Sequence, residues 1–190
     1  MQKIFASTDN TREIINGERK LIRSDVPTRL SDGEREWLLA NSVTLVIDLR
    51  TDREREAKPC PLEFDNRFDY RKIPLTGGDT VPTSVRDVPK SYIKMADKKL
   101  DLARDLILNS RGALFFCNAG KDRTGVLAAA LLCKLGFPDE YIVADYMTSR
   151  DNLLVRLLAF ARANPEVDIE VITPREDYIR EFLAWYRENR

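Results

Sequence analysis

Histidine is absent from all 190 residues. Catalysis by Ser-His-Asp or Cys-His pairs is thereby excluded, and the usual zinc sites lose a principal ligand. Any general acid in this chain has to be a carboxylic acid, a lysine, a tyrosine or a thiol. Cysteine is scarce too, with Cys60, Cys117 and Cys133 the full set. That is no disulfide framework and fits a reducing compartment. Net charge is nil, 31 basic residues against 31 acidic, so no global field draws the chain to nucleic acid or an anionic membrane. No apolar run approaches the roughly 18 residues that span a bilayer, and Met1 to Asn10 lack the apolar core of a secretory signal. The expectation is a cytoplasmic protein without stable membrane insertion, export by a signal-independent route being left open. Repeats and low-complexity tracts are also missing. With 43% hydrophobic and 33% charged residues, the chain reads as one ordinary globular domain over 1–190.

What is present concentrates between Gly112 and Cys133. Gly112 to Phe116 is a short apolar run that predicts a buried strand, and Val126 to Cys133, apolar all round, predicts a buried helix. Between them runs Cys117-Asn118-Ala119-Gly120-Lys121-Asp122-Arg123-Thr124-Gly125. A tight loop that opens a helix makes an anion site from backbone N–H groups and the helix dipole. Such a setting favours the thiolate form of a cysteine, and arginine adds a planar fork for two phosphate oxygens. Cys117 and Arg123, six residues apart, stand at the two ends of this cradle.

The loop resembles the Cys-x5-Arg-[Ser/Thr] phosphate loop of the protein tyrosine phosphatase superfamily, in the form carried by bacterial tyrosine/lipid phosphatases with Lys-Asp inside it. One departure is Phe116, where that family usually has a histidine that helps hold the loop. The resemblance implies an α/β fold, a mostly parallel central sheet flanked by helices, and hydrolysis of phosphate monoesters without metal or cofactor. It implies Cys117 as nucleophile, Arg123 and the amides of Asn118, Ala119 and Gly120 on the phosphate, and Asp122 as acid and then base. Thr124 would donate its hydroxyl to the thiolate, and Lys121 would either reach a second phosphate or pair with a neighbour such as Asp48. The implied substrate is a protein phosphorylated on tyrosine, with phosphoserine, phosphothreonine and phosphoinositides also open. Two rivals stay in view: a rhodanese-like sulfurtransferase and a catalytically silent phosphate-binding module.

Elsewhere the signals are weaker. Residues 1–20 read as a polar surface segment, although Asn10-Thr11-Arg12-Glu13 loosely resembles an Asn-x-Arg-Asp segment of the family and Arg23-Ser24 matches a second one. Ser31-x-x-Glu34 and Thr51-x-x-Glu54 are capping boxes, each opening a helix. Val43 to Ile47 predicts a strand buried on both faces, ending at Asp48-Leu49-Arg50. Binding residues gather at such strand ends, which makes Arg50 a substrate-binding or supporting candidate and Asp48 a bracing carboxylate. Phe68 to Leu75 predicts a further strand. The breaker-rich stretch after it predicts a mobile loop; the corresponding segment covers the active site in the phosphatases the chain resembles, and that resemblance makes Asp79 and Asp87 alternative acids. Helical pattern from Pro89 to Asn109, broken near Asp97, leads back to the central strand. Gly136 predicts a helix end, Leu153, Leu154, Leu157, Leu158 and Ala161 a core stripe, and Thr173 to Glu176 the cap of a last helix. Asp145-Tyr146-x-x-Ser149 again resembles the family. Cys133 reads as a core residue and Cys60 as a loop residue within conceivable reach of Cys117.

Overall fold

Both capping boxes form. In the computed structural model, which describes residues 4–77 and 80–190, helix α1 (Asp32–Ala40) begins at Ser31. The Ser31 hydroxyl accepts from the Glu34 N–H, and the Glu34 carboxylate accepts in return from the Ser31 N–H. Helix α2 (Asp52–Ala57) repeats the motif with Thr51 and Glu54. Each reciprocal pair satisfies two donors that a helix start otherwise leaves orphaned.

The strands β1 (Arg12–Glu13), β2 (Leu21–Asp25), β3 (Leu45–Asp48), β4 (Asp69–Lys72) and β5 (Ala113–Cys117) form one sheet in the order β1-β2-β5-β3-β4. All its pairings are parallel except β1 with β2. This is the mostly parallel α/β architecture expected. The ladder starts two residues later than the Val43 run and takes only Asp69–Lys72 of the stretch to Leu75.

Side chains alternate across the sheet. Ala113, Phe115 and Cys117 of β5 point into one apolar core, together with Leu45 and Ile47 of β3. Leu114, Phe116 and Val46 point into a second core on the other face, with Leu38 of α1. The first core is closed by α3 (Asp87–Lys94), α4 (Lys98–Asn109), α5 (Asp122–Lys134), α6 (Asp139–Ala163) and α8 (Glu176–Asn189). Asp97 makes the expected break before α4, its carboxylate accepting from the N–H groups of Lys99 and Leu100 at 2.8 and 3.2 Å. Helix α5 is buried without interruption from Arg123 to Leu132, the all-round apolar helix the sequence describes.

Three readings change. The leucine stripe of α6 is only half core: Leu153 and Leu157 are buried, whereas Leu154 and Leu158 are 49% and 42% exposed. This end of α6 outruns the main core and packs on the short helix α7 (Ile169–Ile172) through a narrow cluster. Thr173 does not cap α8; its hydroxyl donates to the Ile169 carbonyl, and Arg175 stands at the N-cap with no side-chain bond to the helix start's N–H groups. The first twenty residues are not merely surface, since Phe5, Thr8, Asn10, Arg12 and Ile14 are buried. Among the described residues, no helix is long and apolar enough to cross a membrane.

Candidate active site

The loop from Asn118 to Lys121 turns its carbonyl oxygens outward, and every one of them is claimed. Asn118 O accepts from the Val26 N–H at 3.4 Å and from Arg156 Nη2 at 3.3 Å. Asn10 Nδ2 donates to both Ala119 O and Gly120 O at 3.0 Å. Arg23 Nη2 donates to Gly120 O at 2.8 Å and to Lys121 O at 3.3 Å. In a planar trans peptide the N–H lies opposite the C=O. Carbonyls fixed outward therefore leave the N–H groups of residues 119 to 122 aimed into the loop, where an anion is held.

The side chains that fix this orientation come from the N-terminal segment, β2 and α6. Asp145 on α6 is the hub. It accepts from Arg12 Nε at 2.8 Å and Arg23 Nη1 at 2.5 Å. Burial works to raise its pKa, but the two arginines prevail and hold the carboxyl below its ordinary range. Arg12 Nη1 donates to Asn10 Oδ1 at 2.6 Å, and Ser149 Oγ accepts from Arg12 Nη2 at 3.0 Å and Asn10 Nδ2 at 3.2 Å. Asn10 and Arg12 carry no strong local pattern; the loose likeness of Asn10–Glu13 was the available signal. Arg23 is fully buried. Gly120 has φ 64°, and a Cβ there would lie 2.4 Å from the Ser24 carbonyl carbon, so the loop packs directly on β2. Gly125 lets α5 pack closely: a Cβ there would meet Tyr146 Cδ2 of α6 at 3.1 Å and Arg23 Nη2 of β2 at 3.4 Å.

Cys117 closes β5 with 3% of its surface exposed. Arg123, on the first turn of α5, makes a two-point fork with Glu54: Nη1 donates to Oε2 at 2.7 Å and Nη2 to Oε1 at 2.6 Å. Burial opposes the Arg123 charge, but Glu54, with Cys117 and Asp122, raises its pKa above the ordinary value. Glu54 responds in kind. Burial pushes it up, yet the Arg123 fork and the Thr51 N–H bring it down to about 2. The capping-box carboxylate of α2 is thus also the anchor of Arg123, a second role its sequence motif did not show. Asn118 Nδ2 donates to the same Glu54 Oε1 at 2.5 Å, so that side chain braces the loop. Thr124 is buried with no hydrogen-bond partner among the described residues; the expected bond to the Cys117 sulfur is not made here.

Asp122 begins α5 beside a cleft of about 110 Å³ lined in part by Val81, Pro82, Met95, Val171 and Ile172. Tyr92 donates its hydroxyl to Asp122 Oδ1 at 2.6 Å. Lys121 Nζ lies 3.2 Å from Asp122 Oδ2 and donates to the Ile172 carbonyl at 2.5 Å. Its neighbour is therefore Asp122 and the end of α7, not Asp48.

Arg50 leaves the substrate-binding set. It is wholly buried, Nε and Nη2 donate to Asp48 at 2.9 and 2.7 Å, and Nη1 donates to the Lys58 carbonyl at 2.6 Å. Asp48 also accepts from the Tyr70 hydroxyl at 2.6 Å, which makes it the bracing carboxylate expected. Phe116 lies under this pair, its ring centroid 5.3 Å from the Arg50 guanidinium carbon, on the face of the sheet away from Cys117. Cys60 shares that face, buried, its thiol pushed up to about 12 mainly by burial. The sheet separates it from the core that Cys117 enters, which argues against a disulfide between them. Asp87 begins α3 and accepts from the Ser84 hydroxyl at 2.7 Å and Lys90 Nζ at 3.0 Å, a helix-start role. Asp79 falls outside the described residues.

Comparison with known proteins agrees with the family that the loop resembles. The chain is 37% identical over 132 residues to a tyrosine-protein phosphatase of Nostoc commune, covering 64% of this chain and 45% of that protein. It is 27% identical over 172 residues to the triple specificity protein phosphatase PtpB of Mycobacterium tuberculosis, covering 70% of this chain and 62% of that protein. The chain thus spans between about half and two thirds of the length of these curated relatives. Among solved structures, the Siw14 catalytic core aligns with 98% of the chain at TM-score 0.45 and 16% identity, and Pseudomonas aeruginosa TpbA with 88% at TM-score 0.44 and 15% identity. A model of the tyrosine phosphatase family matches residues 7–189, and the chain belongs to that family.

Proposed function

We propose that residues 1–190 form one phosphatase domain that hydrolyses phosphate monoesters, phosphotyrosine in proteins first among them, through a phosphocysteine. The observation that carries this reading is the loop whose carbonyls are all tied outward between Cys117 and Arg123. Inward N–H groups and the Arg123 donors not used by Glu54 complement the equatorial oxygens on which charge spreads in phosphoryl transfer. The Cys117 thiolate attacks phosphorus in line, the sulfur–phosphorus bond forms, and the bond to the leaving oxygen breaks. Asp122 gives that oxygen its proton. As a carboxylate it then takes a proton from the water that opens the phosphocysteine, releasing inorganic phosphate and restoring the thiolate. The apolar side of the cleft beside Asp122, formed by Val81, Pro82, Met95, Val171 and Ile172, suits the ring of a phenolic leaving group.

Cys117→Ser tests the nucleophile. It is expected to abolish hydrolysis of an aryl phosphate while the circular dichroism spectrum and phosphate binding persist. Hydrolysis that survives in this variant, or that a chelator removes, overturns the mechanism. Asp122→Asn is expected to slow alkyl phosphates far more than nitrophenyl phosphate, whose leaving group departs without a proton. A sulfurtransferase would convert cyanide with thiosulfate, and no such activity is expected. A panel of phosphotyrosine, phosphoserine and phosphothreonine peptides and phosphoinositides ranks the substrates; the localisation that fits phosphorylated proteins as substrates is the cytoplasm.

A further inference from the structure

Tyr92 and Tyr146 are each only 1% exposed, and each carries a hydroxyl that the core does not need. Buried hydroxyls have to be spent on partners. Here they form a line that ends on the candidate acid. Tyr92 Oη lies 2.7 Å from Tyr146 Oη and 2.6 Å from Asp122 Oδ1. The carboxylate cannot donate, so Tyr92 gives its proton to Asp122 and Tyr146 supplies the proton between the two hydroxyls. The rings meet edge to face with centroids 6.2 Å apart. Tyr92 comes from α3, Tyr146 from α6 and Asp122 from α5, so three helices fix one oxygen atom.

We infer that Tyr92 is a positioning residue for Asp122, its hydroxyl engaging Oδ1 and so fixing the orientation in which the carboxyl meets the leaving group. The inference rests on the reading of Asp122 as the acid. A carboxylic acid free to rotate presents its proton in many directions. With Oδ1 on the Tyr92 hydroxyl at 2.6 Å and Oδ2 3.2 Å from the Lys121 ammonium, the carboxyl plane is held in one orientation beside the cleft. The other charged or titratable groups around this line are Lys121 and Arg123 next in the chain, Cys117 across the loop, Arg23 from β2 and Tyr178 from α8, the last two acting on Tyr146. None of them is altered by removing the Tyr92 hydroxyl.

The test is leaving-group selectivity in Tyr92→Phe, which keeps the ring and its packing. A misplaced proton slows only a leaving group that needs one, so kcat for an alkyl phosphate is expected to fall about tenfold further than kcat for nitrophenyl phosphate, with KM for both unchanged. Tyr146→Phe leaves Tyr92 in place but removes its donor, and is expected to show the same selectivity to a smaller degree. This second variant carries the test if Tyr92→Phe does not fold. Asp122→Asn separates the possible failures. If it shows the selective loss while both tyrosine variants slow the two substrates equally or not at all, the positioning inference alone is overturned. If Asp122→Asn shows no selective loss, the acid assignment falls and takes this inference with it.

Discussion

Arg123 and Glu54 meet fork to fork, the two nitrogen–oxygen distances being 2.7 and 2.6 Å, with Arg123 buried and Glu54 half-buried. Arg123 has five donors, and two spent on Glu54 leave others for phosphate, so Glu54 fixes the plane of the guanidinium before substrate arrives. Glu54→Gln keeps the shape and removes the charge. It is expected to lower kcat/KM for an aryl phosphate about 10- to 100-fold and to destabilise the fold by about 2 kcal/mol. The destabilisation has a pH signature. The Glu54 pKa is lowered from 4.5 to about 2, so its contribution is complete above pH 4.5 and is lost as pH falls toward 2. Wild type and Glu54→Gln should therefore differ in urea midpoint at pH 7 and converge as the solution is acidified. A gap that is constant with pH would show that the carboxylate charge is not what holds Arg123.

Gly120 is required for two separate reasons. Its φ of 64° is a conformation that side chains rarely adopt, and an added Cβ would lie 2.4 Å from backbone atoms of Ser24. Backbone cannot step aside as a flexible side chain does, so Gly120→Ala forces the loop off β2. Phosphate affinity and turnover are both expected to be lost, with a lower melting temperature. A variant that binds phosphate as wild type does would show that the loop tolerates a different path.

Asn10 spends its side-chain amide on the loop, donating to Ala119 O, Gly120 O and Ser149 Oγ. Asn10→Ala leaves Ala119 O without its donor and Gly120 O with Arg23 Nη2 alone, at about 1–3 kcal/mol. The peptide plane of Ala119 O is then free to turn, so the Gly120 N–H opposite it loses its aim. The expected loss is in kcat more than in KM, because charge on the equatorial oxygens is greatest in the transition state. A rise in KM at constant kcat would mean that Asn10 serves substrate affinity alone.

The distance along the chain explains what could be read from it. Cys117, Asp122 and Arg123 lie within one loop, where spacing and local geometry coincide, and the capping boxes of α1 and α2 are contained in four residues each. Asn10 is 109 residues from Ala119 in sequence and touches it in space, a pairing with no periodicity to announce it. Glu54 had a sufficient local explanation as the α2 cap, and that explanation hid its use by Arg123. Arg50 misled for the converse reason. A strand end is where binding residues gather, but the Arg50 side chain turns back along its own strand to Asp48, and only packing decides which way it turns. Tyr92 sits in an ordinary amphipathic helix, and its hydroxyl gains meaning only from the Asp122 that α5 brings to it.

Lys121 bears on the choice between protein and lipid substrates. A lysine inside a phosphate loop can reach a second phosphate on a polyphosphorylated ring, the feature that opened phosphoinositides as substrates. In the fold its side chain is 8% exposed, and Nζ is already held by the Ile172 carbonyl at 2.5 Å and by Asp122 at 3.2 Å. To meet a second phosphate it has to leave both, giving up a charged hydrogen bond of about 1.5–3 kcal/mol. Only a substrate with that phosphate in reach repays the loss. Held where it is, Lys121 instead ties the loop to α7 and keeps Asp122 facing the cleft. Lys121→Ala is therefore expected to lower kcat/KM by the same factor for a phosphotyrosine peptide and for a phosphoinositide bisphosphate in mixed micelles, and to lower the melting temperature. A loss about tenfold greater on the inositide, equivalent to about 1.4 kcal/mol, would show that Lys121 releases Ile172 to bind the second phosphate. Substrate preference would then be set by that exchange of partners rather than by the Cys117–Arg123 cradle.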